Sequence, residues 1–212
     1  MSTLVKICGI KEPAALKAAV ESGADFVGFV FYPPSPRYIE PEQAAHLIRM
    51  LPATVRSVGL FVDPDEETLR RVTAVAPLDF IQLHGEETPS NIGGIKSYLS
   101  QKIIKSIRIG SKNDLAEIKR YALVSDWILF DSKVIGSALP GGTGERFDWS
   151  ILKDVKPPLP WMLAGGLTAQ NVAEGIMALH PTAVDVSSGV EDAPGQKSSE
   201  KIKDFIAAAK SV

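Results

Sequence analysis

The sequence is poor in the features that small secreted, membrane or nucleic-acid-binding proteins depend on. Its 212 residues include one cysteine, Cys8, so no disulfide can form within the chain. No apolar run approaches the roughly 18 residues that a membrane span needs. Residues Met1 to Ile10 hold neither a basic segment leading into a long apolar stretch nor a small-residue cleavage site. Charge of one sign is missing too: 23 basic and 25 acidic residues leave a net charge of −2. That balance argues against nucleic-acid and membrane partners, which select basic patches. A reduced, cytoplasmic setting is the expectation.

What the sequence does have is one theme repeated. A short β-branched or apolar run ends in small or polar residues, and a helix-like amphipathic segment follows. The strand candidates are Leu4 to Cys8, Phe26 to Phe31, Arg56 to Phe61, Phe80 to Leu83, Ile103 to Ile107, Trp127 to Asp131, Trp161 to Ala164 and Ala183 to Val186. Such runs suit parallel strands buried on both faces. Helix candidates between and after them include Glu12 to Ser22, Pro41 to Leu51, Asp65 to Val75, Asn113 to Tyr121, Gln170 to Leu179 and Ser198 to Lys210. Within the third, Leu69, Val72 and Val75 fall on one face. Strand and helix alternating along the whole chain indicate a parallel sheet. Eight units with no leftover block fit a closed (β/α)8 TIM barrel, one domain over residues 1–212. An open sheet is the rival if the runs at Phe80 and Ala183 are not strands.

In such a barrel the chemistry sits at the C-terminal ends of the strands. Read in order, those positions supply Cys8, Arg37, Asp63, His84, Lys105 with Ser106, Asp131, Gly165-Gly166, and Asp185 with Ser187-Ser188-Gly189. Without a global positive field, an anionic ligand must be held by local donors. The loops after the last two strands offer them, because glycine lets backbone N–H groups approach an anion closely. A third glycine-rich segment, Gly141-Gly142-Thr143-Gly144, lies in the long loop after the sixth strand and reads as a cover for the site.

Alternation along the strands decides which side chains enter the mouth. Lys6 and Cys8 point to the barrel axis and Ile7 to the helices; Leu129 and Asp131 point inward, Ile128 and Phe130 outward. The first and sixth strands are not neighbours in an eight-strand ring, so Cys8 and Asp131 face each other across it. A thiolate base opposite a carboxylic acid can move protons at two points of a bound sugar. A buried cysteine that is merely a small hydrophobe, and an inward acid that is structural, are the bland alternatives. Arg37 follows three prolines, and a stiffened loop presenting a guanidinium suits capture of a carboxylate. A surface arginine bridging two elements explains it equally well.

Taken together these residues resemble the phosphoribosylanthranilate isomerase family of tryptophan biosynthesis. The matching stretches are Lys6-Ile-Cys-Gly-Ile10, Ser35-Pro-Arg37, Gln82-Leu-His-Gly85, Phe130-Asp131, Gly141-Gly-Thr-Gly144 with Phe147-Asp-Trp149, Leu163-Ala-Gly-Gly-Leu167 and Val184-Asp-Val-Ser-Ser-Gly-Val-Glu191. They run in the family's order and span nearly the whole chain. The resemblance implies an Amadori rearrangement of an N-ribosyl aminoaldose phosphate to a 1-amino-1-deoxyribulose phosphate. It further implies Asp131 as general acid, Cys8 as general base and Arg37 on the anthranilate carboxylate. Gly165, Gly166, Ser187, Ser188 and Gly189 would hold the phosphate, with His84 and Asp185 lining the sugar. No metal or organic cofactor is implied. The only partner implied is the small-molecule substrate, and a monomer is favoured over a homodimer. Lys11 and Ser198 depart from the family's pattern, at positions outside this chemistry.

Two other readings compete. One is a sibling barrel, an epimerase or synthase on another sugar phosphate. A metal-dependent epimerase would gather histidines and acids at the rim, yet His46 and His180 fall in helix-like segments. The other is a barrel that binds a phosphorylated metabolite without catalysis, which requires Cys8 or Asp131 to point away from the pocket.

Overall fold

The computed structural model describes residues 2–133 and 147–212. Eight parallel strands close into a ring: β1 (Leu4–Cys8), β2 (Phe26–Val30), β3 (Arg56–Phe61), β4 (Phe80–Leu83), β5 (Lys102–Ile109), β6 (Trp127–Ser132), β7 (Trp161–Leu163) and β8 (Ala183–Val186). Pairing of β1 with β8 completes it, Lys6 opposite Asp185, which removes the open-sheet alternative. The runs at Phe80 and Ala183 are full members of the ring.

Outside the strands lie α1 (Pro13–Glu21), α2 (Pro41–Ile48), α3 (Glu66–Val75), α4 (Pro89–Tyr98), α5 (Ala116–Tyr121), α6 (Val172–Leu179) and α7 (Ser199–Lys210). Proline opens α1, α2 and α4, where its missing N–H costs nothing. Asp65 and Ser198 cap α3 and α7 with their side chains. In α3, Leu69 and Val72 are buried as the spacing predicts, whereas Val75, at the last turn, is exposed. The helix expected over Asn113 to Tyr121 divides into a 3-10 turn, Lys112–Leu115, and the short α5. Asp114 Oδ2 accepts the N–H groups of Gly110 and Ser111 and tightens that first turn.

Between β6 and β7 the described residues contain a 3-10 turn, Trp149–Leu152, and no α-helix. Trp149 and Leu152 are buried and fill the gap. Gly175 of α6 makes room for the indole: a methyl group there would lie 2.8 Å from the ring.

Two apolar layers follow from the alternation. Outward residues such as Ile7, Phe29, Ile81, Ile128 and Phe130 pack under the helices. Inward residues Phe26, Val58, Phe80, Ile104, Leu129, Met162 and Ala183 plug the barrel's lower half. Each large side chain so buried contributes about 1.5–3 kcal/mol. Above that plug the inward positions turn polar, with Gln82, Ser106, Asp131 and Asp185 all buried. The apolar floor therefore seals one end and leaves a polar mouth at the other.

The sealed end carries a repeated device. The side chain of the residue before each even strand accepts an N–H from the first or second residue of the preceding odd strand. Asp25 serves Val5 at 2.8 Å, Asp79 serves Ser57 at 2.8 Å and Asp126 serves Ile103 at 2.8 Å. Thr182 serves Trp161 at 3.3 Å. Backbone donors at a strand's start would otherwise be buried unpaired, at a cost of about 1–3 kcal/mol each.

Candidate active site

The polar mouth holds a cavity that opens to solvent. All ten residues singled out from the sequence line it: Cys8, Arg37, His84, Asp131, Gly165, Gly166, Asp185, Ser187, Ser188 and Gly189. They come from six of the eight strands or the loops after them, so only ring closure brings them together. Asp63, Lys105 and Ser106, also at strand ends, are not among the lining residues. Asp63 instead accepts the N–H of Glu86, and Lys105 is buried against Glu87 at 2.6 Å. Gly141 to Gly144, expected as a cover, lie outside the described residues.

Cys8 ends β1 with 3% of its surface exposed. Burial pushes its thiol up; the ammonium groups of Lys6 and Lys197 oppose that rise, and the Asp185 carboxylate adds to it. Across the ring, Asp131 is held by two donors. The Ser132 N–H reaches Oδ1 at 2.8 Å, and His84 Nε2 lies 3.1 Å from Oδ2. Gln82 Nε2 donates to His84 Nδ1 at 3.0 Å, which puts the ring proton on Nε2, aimed at Asp131. The other end of that amide, Gln82 Oε1, is buried with no hydrogen-bond partner among the described residues, and Gln82 lines the cavity. An acceptor in that position suits a ligand hydroxyl.

The loops after β7 and β8 form one wall. Gly165 and Gly166 both take positive φ, 83° and 64°, a backbone conformation that glycine adopts without steric cost. Asn171 locks the loop, accepting from the Thr168 N–H and donating to the Gly166 carbonyl. Gly189 packs its bare Cα on the Leu167 carbonyl: a Cβ there would lie 2.0 Å from the oxygen. The two loops thus touch. Among the described residues, the N–H groups of Gly166, Ser188 and Gly189 have no acceptor. Unpaired amides on two touching loops, one of them opening a helical turn, suit an anion.

Arg37 is 6% exposed. Its guanidinium meets Glu191 in a two-point pair, Nε to Oε1 at 2.8 Å and Nη2 to Oε2 at 2.9 Å. Burial would raise the Glu191 carboxyl, but the hydrogen bonds from Arg37 and the charge of Lys197 hold it below the usual range. Lys197 sits on a short hairpin, β9 (Glu191–Ala193) and β10 (Gln196–Lys197), that follows β8. Its ammonium binds Glu191 at 2.7 Å and the Ser187 carbonyl at 2.9 Å. The hairpin therefore ties the arginine loop to the loop after β8.

Sequence reasoning did not assign Gln82, Glu191 or Lys197. Gln82 and Glu191 lie within quoted motifs, yet their partners are set by the fold: Glu191 and Arg37 are 154 positions apart. Period-two alternation from His84 back to Gln82 was the one local signal available.

The N-(5′-phosphoribosyl)anthranilate isomerase family model matches residues 5–208. The chain is 50% identical over 211 residues to an N-(5′-phosphoribosyl)anthranilate isomerase of Paramagnetospirillum magneticum, covering 99% of this chain and 98% of that one. It superposes on the crystal structure of a phosphoribosyl anthranilate isomerase from Thermotoga maritima with a TM-score of 0.89 and 39% identity, over 99% of this chain and 100% of that one. A further crystal structure of phosphoribosyl anthranilate isomerase, in complex with reduced 1-(o-carboxyphenylamino)-1-deoxyribulose 5-phosphate, matches with a TM-score of 0.85. It is 38% identical, covering 99% of this chain and 100% of that one.

Proposed function

The chain belongs to the N-(5′-phosphoribosyl)anthranilate isomerase family, an enzyme of tryptophan biosynthesis, and from that premise we propose how its residues divide the work. The reaction converts N-(5-phosphoribosyl)anthranilate to 1-(2-carboxyphenylamino)-1-deoxyribulose 5-phosphate. It moves hydrogen within the substrate, so one proton delivered must be matched by one removed. Two opposed groups on the rim suffice.

Asp131 is the general acid. Its carboxyl gives a proton to the furanose ring oxygen, the ring C–O bond breaks, and an open-chain Schiff base forms. Cys8 is the general base: its thiolate takes the C2′ proton, and the electron pair of that C–H bond neutralises the iminium. The resulting enolamine tautomerises to the ketone. The iminium is itself a cation beside the sulfur, so the charge that ring opening creates favours the thiolate that burial opposes. The thiolate is thus most populated when its substrate is ready. His84 orients Asp131 for the first transfer, and Gln82 Oε1 and Asp185 meet the sugar hydroxyls.

Binding falls to the other residues. The amides of Gly165, Gly166, Ser188 and Gly189, with the Ser187 hydroxyl, hold the phosphate; each charge-assisted bond is worth about 1.5–3 kcal/mol. Arg37, oriented by Glu191, holds the anthranilate carboxylate. The scheme treats residues 1–212 as one catalytic domain working as a monomer.

The observation that carries the reading is the placement of Cys8 and Asp131 on opposed strands around one cavity walled by the two glycine loops. Following substrate fluorescence tests it. Asp131→Asn should lower kcat by roughly 10²- to 10⁴-fold, the usual worth of a general acid, with little change in KM. Cys8→Ser should be as severe. Near-normal turnover in either variant removes that residue from the mechanism.

A further inference from the structure

Beneath the sulfur of Cys8 lies a charge that substrate does not reach. Lys6, two residues earlier on β1, is completely buried. Its partner in register on β2 is Phe26, a member of the apolar plug, so an ammonium stands beside apolar side chains. Moving such a charge out of water costs several kcal/mol unless it is paired. The pairing is specific: Nζ lies 2.9 Å from Asp185 Oδ1, across the β1–β8 seam, and it stands close enough to Cys8 for the two groups to act on each other's charge. Gly28, opposite Cys8 on β2, leaves the space for this meeting. A methyl group on Gly28 would stand 2.9 Å from Sγ and 3.2 Å from Nζ, so sulfur and nitrogen crowd over the same bare Cα.

A lysine placed only for packing would be replaceable by methionine at lower cost. A buried lysine anchored on a carboxylate, with its ammonium beside a thiol, has a different use. Resting on the assignment of Cys8 as base, we propose that Lys6 is a positioning residue for the isomerisation, its Asp185-anchored ammonium holding the Cys8 sulfur in place and carrying the countercharge of the thiolate. Asp185 keeps the ammonium charged: burial would lower the lysine, yet the charges of Asp185 and Cys8 raise it above its ordinary value. The other charged groups acting on the sulfur are Asp185 itself, from β8, and Lys197, from β10. Lys197 is committed to Glu191 and to Ser187, while β2 offers only Gly28. Lys6 is therefore the principal cation for the thiolate. During the reaction the thiolate takes a carbon-bound proton and becomes neutral, and Lys6 passes from a shared charge to a simple pair with Asp185. No proton leaves the lysine.

With one cysteine in the chain, thiolate absorbance reports Cys8 alone once a Cys8→Ser blank is subtracted. In Lys6→Met the thiol transition should move to higher pH by at least about one unit, a tenfold loss of thiolate at a given pH. The rising limb of kcat against pH should move with it, and KM should stay within about threefold. Lys6→Arg, which keeps the charge, should restore part of both shifts. Because Lys6→Met leaves Asp185 unpaired and can unfold the chain, Lys6→Met with Asp185→Asn removes both charges. Because Asp185→Asn by itself removes a carboxylate that raises the thiol, the double variant is compared with Asp185→Asn alone, and its titration, which needs no turnover, should lie at higher pH. Equal thiol titrations in the double variant and in Asp185→Asn overturn the role of Lys6. Wild-type turnover in Cys8→Ser overturns the base assignment beneath it, and severe loss there with an unmoved titration in the lysine variants overturns the lysine alone.

Discussion

Gly189→Ala gives the sharpest test of how the phosphate wall is built. The added Cβ would sit 2.0 Å from the Leu167 carbonyl oxygen, where real contacts essentially never fall below 3.0 Å. The obstacle is backbone, so no rotamer relieves it, and the loops after β7 and β8 must separate by at least 1.0 Å. A shift of that size takes an amide from a good hydrogen-bond distance to a poor one. Losing one charge-assisted bond to the phosphate removes about 1.5–3 kcal/mol, which corresponds to a roughly 10- to 150-fold rise in KM. The phosphate does not react, so kcat should fall much less. The assay is steady-state fluorescence, with inorganic phosphate as a competitive probe whose inhibition constant should rise in parallel. Circular dichroism and the thermal midpoint separate a moved loop from an unfolded barrel. A folded Gly189→Ala protein with wild-type KM and wild-type phosphate inhibition would show that the wall does not bind phosphate.

Two other outcomes follow from the charge pairs. Glu191→Gln should raise KM by about tenfold or more and also lower the melting temperature, because it weakens the two-point grip on Arg37 and leaves Lys197 short of its carboxylate; an unchanged KM would make that arginine purely structural. Asp114 has its carboxyl at about 2: burial would raise it, but the Lys133 ammonium and the N–H groups of Gly110 and Ser111 bring it down. A lowered carboxyl stabilises the fold above its unfolded value of about 4, and that contribution should fade as pH falls from about 4 through 2. Comparing acid unfolding of the wild type with Asp114→Asn measures it, and identical acid profiles would refute it.

Much of this molecule could be read from its residues because each barrel strand is buried on both faces and short. The run Ile128 to Asp131 shows both the strand and its facing, since an acid in phase with Leu129 can only point to the axis. The same reasoning placed Cys8. It failed where partners are distant in sequence or elements are too short for a period. The hairpin from Glu191 to Lys197 has strands of three and two residues, and its bonds to Arg37 cross the whole chain. Helix α4, Pro-Ser-Asn-Ile-Gly-Gly-Ile-Lys-Ser-Tyr, buries only Ile92 and Ile95, a face too narrow to stand out. The device at the sealed end was visible as Asp25-Phe26, Asp79-Phe80 and Asp126-Trp127, an acid before an aromatic at three even strands. Its meaning needed the register, which pairs each acid with an N–H twenty or more positions away.

The seam between the first and last strands has a consequence for synthesis. Lys6 leaves the ribosome 179 residues before Asp185. Until the final strand arrives, the lysine has no carboxylate, the sulfur has no closed wall around it, and the glycine loops have no partner to touch. Half-made chains thus carry a solvated, ordinary thiol, and its special environment appears only with the closing strand.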